Sequence, residues 1–181
     1  MKQEIINILV KTGILRKRQI DISKIKSAIE FAKINAGVTK SIPLNDNSAT
    51  LIFREIYESI RQLGDVKWWI SGYEPQNHDI SLGILKEIEI RNKVKLNFLE
   101  RFKQIRHDAN YKGFRISVSQ AKEIIEFWDE CGKDIIDHLL KAININENLI
   151  SFALLKSTVK KLSKNLVSGS SNHKTKKIYI I

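Results

Sequence analysis

Apolar residues in this chain recur mainly at helical spacing. Ile22, Ile25, Ile29 and Ala32 follow one another at intervals of three and four, placing one apolar stripe on a helix from about 21 to 36. Gly37 comes next, where a left-handed C-cap is wanted. Pro43 and the polar run Asn45-Asp46-Asn47-Ser48 give a loop followed by an N-cap signal. Beyond it, Ile52, Ile56, Ile60, Leu63 and Ile70 mark a long second helix ending at Ser71-Gly72. A third stripe runs from about 79 through Leu82, Leu85, Ile88, Leu96, Leu99, Phe102 and Ile105, and fades at Asn110-Tyr111-Lys112-Gly113. Ser117 and Gln120 have capping-box spacing and open the cleanest helix: Ala121, Ile124, Ile125, Trp128, Ile135, Leu139 and Ile143. Asn144-Ile145-Asn146 is expected to break it, and Leu155, Val159, Leu162 and Leu166 predict a last helix.

No segment sustains period-two alternation, and no internal repeat recurs. The pattern predicts an all-α, up-down bundle of four long helices with an added N-terminal helix, a C-terminal helix and a flexible tail. By range, 1–44 is a helical N-terminal extension within the bundle, 45–145 the core, 146–167 the C-terminal helix and 168–181 a basic tail. The apolar end of that tail, Ile178-Tyr179-Ile180-Ile181, reads as a short strand or a docking peptide.

Composition narrows the class. A length of 181 residues with 43% apolar content is enough for one domain with a proper core. The single cysteine excludes a disulfide framework and a Cys-rich zinc module, and Cys131 falls among core positions, where a buried inert thiol is expected. No apolar run is long enough to span a membrane, and the first residues lack the apolar core and cleavage site of a secretory signal. A cytoplasmic protein is the expectation.

The formal net charge of +11 is uneven. Residues 1–40 hold nine bases and three acids, 41–155 fifteen bases and seventeen acids, and 156–181 seven lysines with no acid. Basic ends of this kind bind polyanions by releasing counterions, or simply keep a protein in solution. Within the near-neutral body, 91–115 carries eight bases (Arg91, Lys93, Lys95, Arg101, Lys103, Arg106, Lys112 and Arg115) against Glu100 and Asp108. The stretch 117–147 reverses this, with three bases and seven acids. Packed side by side, the two would pair some charges, and the bases left over would form a positive patch. Arg91, Lys95, Lys103, Lys112 and Arg115 are the candidate nucleic-acid contacts.

There is no Gly-rich phosphate loop, no HExxH and no Cys/His ligand set, so neither a metal site nor a cofactor is expected. The four histidines, at 78, 107, 138 and 173, lie far apart, and nothing in their spacing brings two together. Trp68 and Trp69, with Tyr73 beyond, suit a hydrophobic lid at a helix end better than a base-stacking platform. Asp134 and His138, one turn apart, form an ordinary solvated pair. One segment concentrates polar chemistry: Arg101-Phe102-Lys103-Gln104-Ile105-Arg106-His107-Asp108-Ala109-Asn110-Tyr111-Lys112-Gly113. Its plain explanation is a last helical turn in which Arg106 and His107 face the negative end of the dipole.

The stretches LIFREIYESIRQLGDVKWWISGYEPQNHDIS at 51–81 and FLERFKQIRHDANYKG at 98–113 resemble the HEPN superfamily of small all-α domains. The resemblance lies in a long helix with Tyr57, the turn at Gly72-Tyr73, His78 opening the next helix, an Arg-rich helix close ending in Tyr-x-Gly, and the SVSQAKEII helix that follows. It covers about 45–143. Many members are metal-independent ribonucleases with an Arg and a His separated by a short run of residues. Here five residues lie between Arg101 and His107. The resemblance therefore implies catalysis by Arg101 and His107, with Arg106, Asp108, Asn110 and Tyr111 in support and two protomers sharing one cleft. A 2′-hydroxyl would attack the adjacent phosphorus, with His as acid or base and Arg stabilising the phosphorane.

A second register sets Arg106-His107 on the family's Arg-Asn pair and puts Tyr111 where the catalytic His would stand, a pattern that looks degenerate. On a regular helix, moreover, residues 101 and 107 are ~120° apart around the axis. They face one phosphate only if the helix breaks or a second chain supplies one of them. The expected roles are thus a dimeric endoribonuclease of a toxin–antitoxin or defence system, or a non-catalytic module that binds RNA, nucleotide or a protein. The resemblance also allows a cognate nucleotidyltransferase that modifies Tyr111.

Overall fold

A computed structural model describes residues 1–145 and Lys156. The helices are α1 (Gln3–Lys11), α2 (Ile22–Lys40), α3 (Ala49–Ile70), α4 (His78–Leu85), α5 (Phe98–Tyr111) and α6 (Val118–Phe127). A π-helical turn, Trp128–Gly132, leads into α7 (133–145), and a 3₁₀ turn, Lys93–Asn97, precedes α5. Two short strands, β1 (Leu15–Lys17) and β2 (Tyr73–Pro75), pair antiparallel. The chain divides into two units, Met1–Ile143 and Asn144–Ile181. The last helix and tail expected at 146–181 lie outside the described residues, except for Lys156. No helix among the described residues is long and apolar enough to cross a membrane.

α3 is the axis of the first unit. Ile52, Phe53, Ile56, Ile60 and Leu63 are fully buried along one of its faces, each contributing about 1.5–3 kcal/mol by leaving water. Ile25, Ile29, Ala32 and Ala36 of α2 join the same core, as do Ala121 and Ile124 of α6 and Ile135, Leu139 and Ile143 of α7. Phe102 of α5 meets Phe53 and Phe127 edge-on, at ring-centre distances of 5.9 and 5.4 Å. The capping box at Ser117 and Gln120 forms as the sequence predicts.

Four expectations are corrected. Gly37 does not end its helix: Thr39 extends the buried stripe, and α2 runs to Lys40, where Ser41 Oγ donates to the Val38 carbonyl at 2.7 Å. The third long helix is two helices. A continuous helix would turn Arg91 and Asn92 inward after Ile88, so α4 stops at Leu85 and the chain crosses irregularly to α5 with Val94 75% exposed. Asn144 and Ile145 do not break the fourth helix; both are helical. A β ribbon also exists where no alternation was visible, because three residues per strand are too few to show a period. Gly13 and Gly72 supply the left-handed turns beside it, at φ 74° and 80°.

The ribbon and α1 enclose a smaller apolar cluster of Leu15, Trp68 and Ile84, with the Trp68 indole N–H donating to the Ile80 carbonyl at 3.0 Å. Trp68 is thus a buried member of a satellite core and not a lid over it. Trp69 lies beneath two cations, Arg18 at 4.7 Å and Lys24 at 5.2 Å.

Candidate functional site

The approach of α4 to α3 sets up the site. A Cβ on Gly64 would stand 1.8 Å from the Ser81 carbonyl oxygen, so only glycine lets the two backbones meet there. Ser81 Oγ also donates to the Asp65 carboxylate. Asn77 caps α4 by accepting from the Asp79 and Ile80 amides at 3.0 and 3.2 Å. These contacts fix the first turn of α4, with His78 as its first residue, beside Tyr57 and Glu58 of α3. Burial would raise the Glu58 carboxyl, but hydrogen bonds and charge from Arg61, with a smaller contribution from His78, hold it below the usual carboxylate range.

α5 presents two faces. Leu99 and Phe102 are buried and Ile105 packs against the core, so positions 103, 106, 107 and 110 turn outward together. A cleft of about 300 Å³ opens between that face and the start of α4. Tyr57 contributes from α3, Asn77, His78 and Asp79 from α4, and Lys103, Gln104, Arg106, His107 and Tyr111 from α5. Lys103 Nζ reaches across to Asp79 at 3.4 Å and back to Glu100 at 3.7 Å.

The Arg106 guanidinium carbon lies 5.8 Å from the centre of the Tyr57 ring. Tyr57 is 4% exposed, and burial, opposed only partly by Arg106, pushes its phenol up to about 12. It is therefore an uncharged phenol across the working pH range. Turning the Asn110 amide over, an orientation fixed by hydrogen bonding alone, brings its oxygen 3.1 Å from Arg106 Nε and 3.3 Å from an Nη. Both contacts are neutral, so Arg106 keeps its whole charge for the cleft.

His107 and Tyr111, one turn apart, hold their ring centres 4.9 Å from each other. His107 Nδ1 is 3.6 Å from Asp108 Oδ1. Asp108 accepts from Gln104 at 2.9 Å and pairs with Lys112 at 2.8 Å, and these bonds, Lys112 first, hold its carboxyl below the usual range. Tyr111 is 72% exposed at the rim.

The remaining candidates lie elsewhere. α5 is unbroken from Phe98 to Tyr111, so Arg101 and His107 leave it on different faces. Arg101 Nε donates to both Glu123 carboxylate oxygens of α6, at 3.1 and 3.0 Å. Arg91 forks onto Asp134 of α7, with Nη2 at 2.8 Å, and Lys95 pairs with Glu130 at 2.5 Å. The basic and acidic stretches thus do pair, and the bond to Arg91 takes Asp134 out of the simple one-turn pair expected with His138. Of the five basic candidates Lys103 alone lines the cleft, while Arg115 borders a separate small hollow past the Gly113 turn.

Sequence spacing missed His78. It lines the same cleft as His107 only because the helix break after Leu85 lets α5 fold back beside α4. The signal that was available is the N-cap Asn77, which fixes where α4 starts. Among the described residues no group of three or more His, Cys, Asp or Glu is placed to hold a metal ion. Cys131 is buried, and burial pushes its thiol up to about 11. In comparisons with known proteins, no family model matches the chain, and neither does any curated protein or solved structure.

Proposed function

We propose that the chain is a HEPN-type RNA-binding protein that cleaves RNA in the cleft between α4 and α5, as the effector of a toxin–antitoxin or defence system. The observation that carries this reading is the lining of one open cleft by Arg106, His107 and Lys103, with Arg106 over a neutral Tyr57. Arginine suits a phosphate because its planar fork matches two oxygens at once. Arg106 has no carboxylate partner among the described residues, whereas Arg91 and Arg101 each have one. Histidine is the side chain suited to move a proton at neutral pH. Tyr111 at the rim offers a ring on which a base can stack.

Cleavage then proceeds by attack of the 2′-hydroxyl on the adjacent phosphorus, giving a 2′,3′-cyclic phosphate and a 5′-hydroxyl. His107 takes part in proton transfer, and Arg106 stabilises the charge that builds on the phosphorane oxygens, joined by Lys103 once its contacts to Asp79 and Glu100 exchange. In the dimeric form of the proposal, a second copy supplies Arg101 to this phosphate after exchange of its bond to Glu123.

Incubating single-stranded RNA with the protein in EDTA tests the reading. Wild-type protein yields fragments ending in cyclic phosphate, and His107→Ala slows this by about 10²–10⁴-fold with the helical signal unchanged. Undiminished cleavage by the variant would remove His107 from the chemistry. A second reading, an RNA-binding module without cleavage, is favoured by the Arg101–Glu123 bond, which leaves the cleft of one chain without the Arg-x5-His pair. Binding without product at any enzyme concentration is its signature.

A further inference from the structure

We infer that His78 is the second proton-transfer residue of the cleft, acting as general acid while His107 acts as general base. This rests on the reading of the cleft as a site of RNA cleavage. Moving a phosphoryl group from the 5′ oxygen to the 2′ oxygen requires two proton transfers. One proton leaves the nucleophile and one arrives at the leaving group, on opposite sides of phosphorus in an in-line displacement. A single imidazole cannot serve both sides in one step. The cleft presents two imidazoles, one from each of the helices that border it, with Arg106 and Lys103 also on its lining.

The surroundings of His107 assign its role, and His78 takes the other. The Asp108 carboxylate, 3.6 Å from His107 Nδ1, favours the tautomer with its proton on Nδ1. That leaves the Nε2 lone pair of His107 free to take the 2′-hydroxyl proton. The 2′ oxygen bonds to phosphorus, the P–O5′ bond breaks, and its electron pair goes to the 5′ oxygen, which takes the proton carried by His78. The step ends with His107 protonated and His78 neutral, and exchange with water restores both. No oxidation or reduction occurs.

Besides a charge interaction with Glu58, His78 is not among the contacts that fix α4. The cap belongs to Asn77 and the interhelical contact to Gly64 and Ser81, and the His78 side chain is exposed. His78→Gln keeps a polar residue at the same helical position. With an ordinary RNA substrate it is expected to lower the cleavage rate by about 10²–10⁴-fold with unchanged thermal melting.

The deciding comparison uses an RNA whose scissile 5′ oxygen is replaced by sulfur, a leaving group that departs without protonation. On that substrate His78→Gln regains a rate within tenfold of wild type, whereas His107→Ala stays slowed by about 10²–10⁴-fold. If wild-type protein cleaves ordinary RNA and His78→Gln cleaves it equally well, the inference falls while the cleft reading survives. The inference falls in the same way if sulfur rescues His107→Ala and not His78→Gln. If wild-type protein cleaves neither substrate, the cleft reading itself falls.

Discussion

Arg106 and Arg101 stand five positions apart on one helix, yet the first lies over the Tyr57 ring at 5.8 Å and the second is bonded to Glu123 at 3.0 Å. A guanidinium over a neutral ring keeps its charge for an incoming phosphate. One bound to a carboxylate is already neutralised. Single-stranded RNA affinity measured against salt is therefore expected to separate the two. Arg106→Ala lowers affinity and flattens the log–log salt slope by about one phosphate contact, ~0.7 for a single strand. Arg101→Ala changes the slope by less than half as much. Equal slopes for both variants would contradict this division of charge.

Of the described glycines, Gly64 makes the tightest approach, to the Ser81 carbonyl, and it lies one turn along α4 from His78. Gly64→Ala drives a methyl against a peptide carbonyl that has no rotamer to change. The expected cost is at or above the top of the usual overpacking range, about 1–3 kcal/mol. Gly37→Ala, with open space around the added atom, is expected to be neutral or slightly stabilising through helix propensity. Chemical denaturation of the two variants, read against wild type, measures both effects. A mild effect at Gly64 would mean that α4 is free to shift and does not fix His78.

His138 offers a pH test in a different hollow. Burial, then the charges of Lys67 and Lys141, lower its pKa from 6.5, outweighing a backbone hydrogen bond to Glu89 and the Glu89 charge, which act upward. Arg91, Lys133, Asp134 and Asp137 share the same hollow. Because the unfolded chain takes up this proton first, it binds more protons than the folded chain between the two pKa values. Stability is therefore full above about 6.5, falls as pH drops through the window below it, and levels off once the folded pKa is passed. Denaturation midpoints between pH 8 and 5 are expected to fall more steeply for wild type than for His138→Gln. Parallel curves would show that this imidazole contributes nothing.

Much of the helical framework was legible because burial writes its own period. The α3 stripe at Ile52, Ile56, Ile60 and Leu63, and the Ser117–Gln120 cap, appear in the structure as their spacing predicts. The break after Leu85 was not legible from the stripe alone, since Leu82 and Leu85 on one side and Leu99 and Phe102 on the other point into one core from two helices. The polar residues Arg91 and Asn92 at inward positions were the overlooked mark.

The site divides in the same way. Segment 101–113 stood out by its chemistry, but which of its residues share a face depends on helix phase. Which histidine lies opposite depends on a tertiary contact through Gly64 that no local pattern encodes. The pairing of Arg91, Lys95 and Arg101 with acids of α6, the π-helical turn and α7 was anticipated as a class, and its partners became identifiable only once the helices were packed.

The central claim is that the cleft between α4 and α5 receives a phosphodiester. Histidine ring resonances, followed by NMR while a 2′-deoxy RNA analogue that binds but cannot be cut is titrated in, test it without reference to catalysis. His78 and His107 are expected to shift in step with occupancy while His138 does not. Shifts confined to His138, or a bound complex in which neither cleft histidine moves, would contradict it.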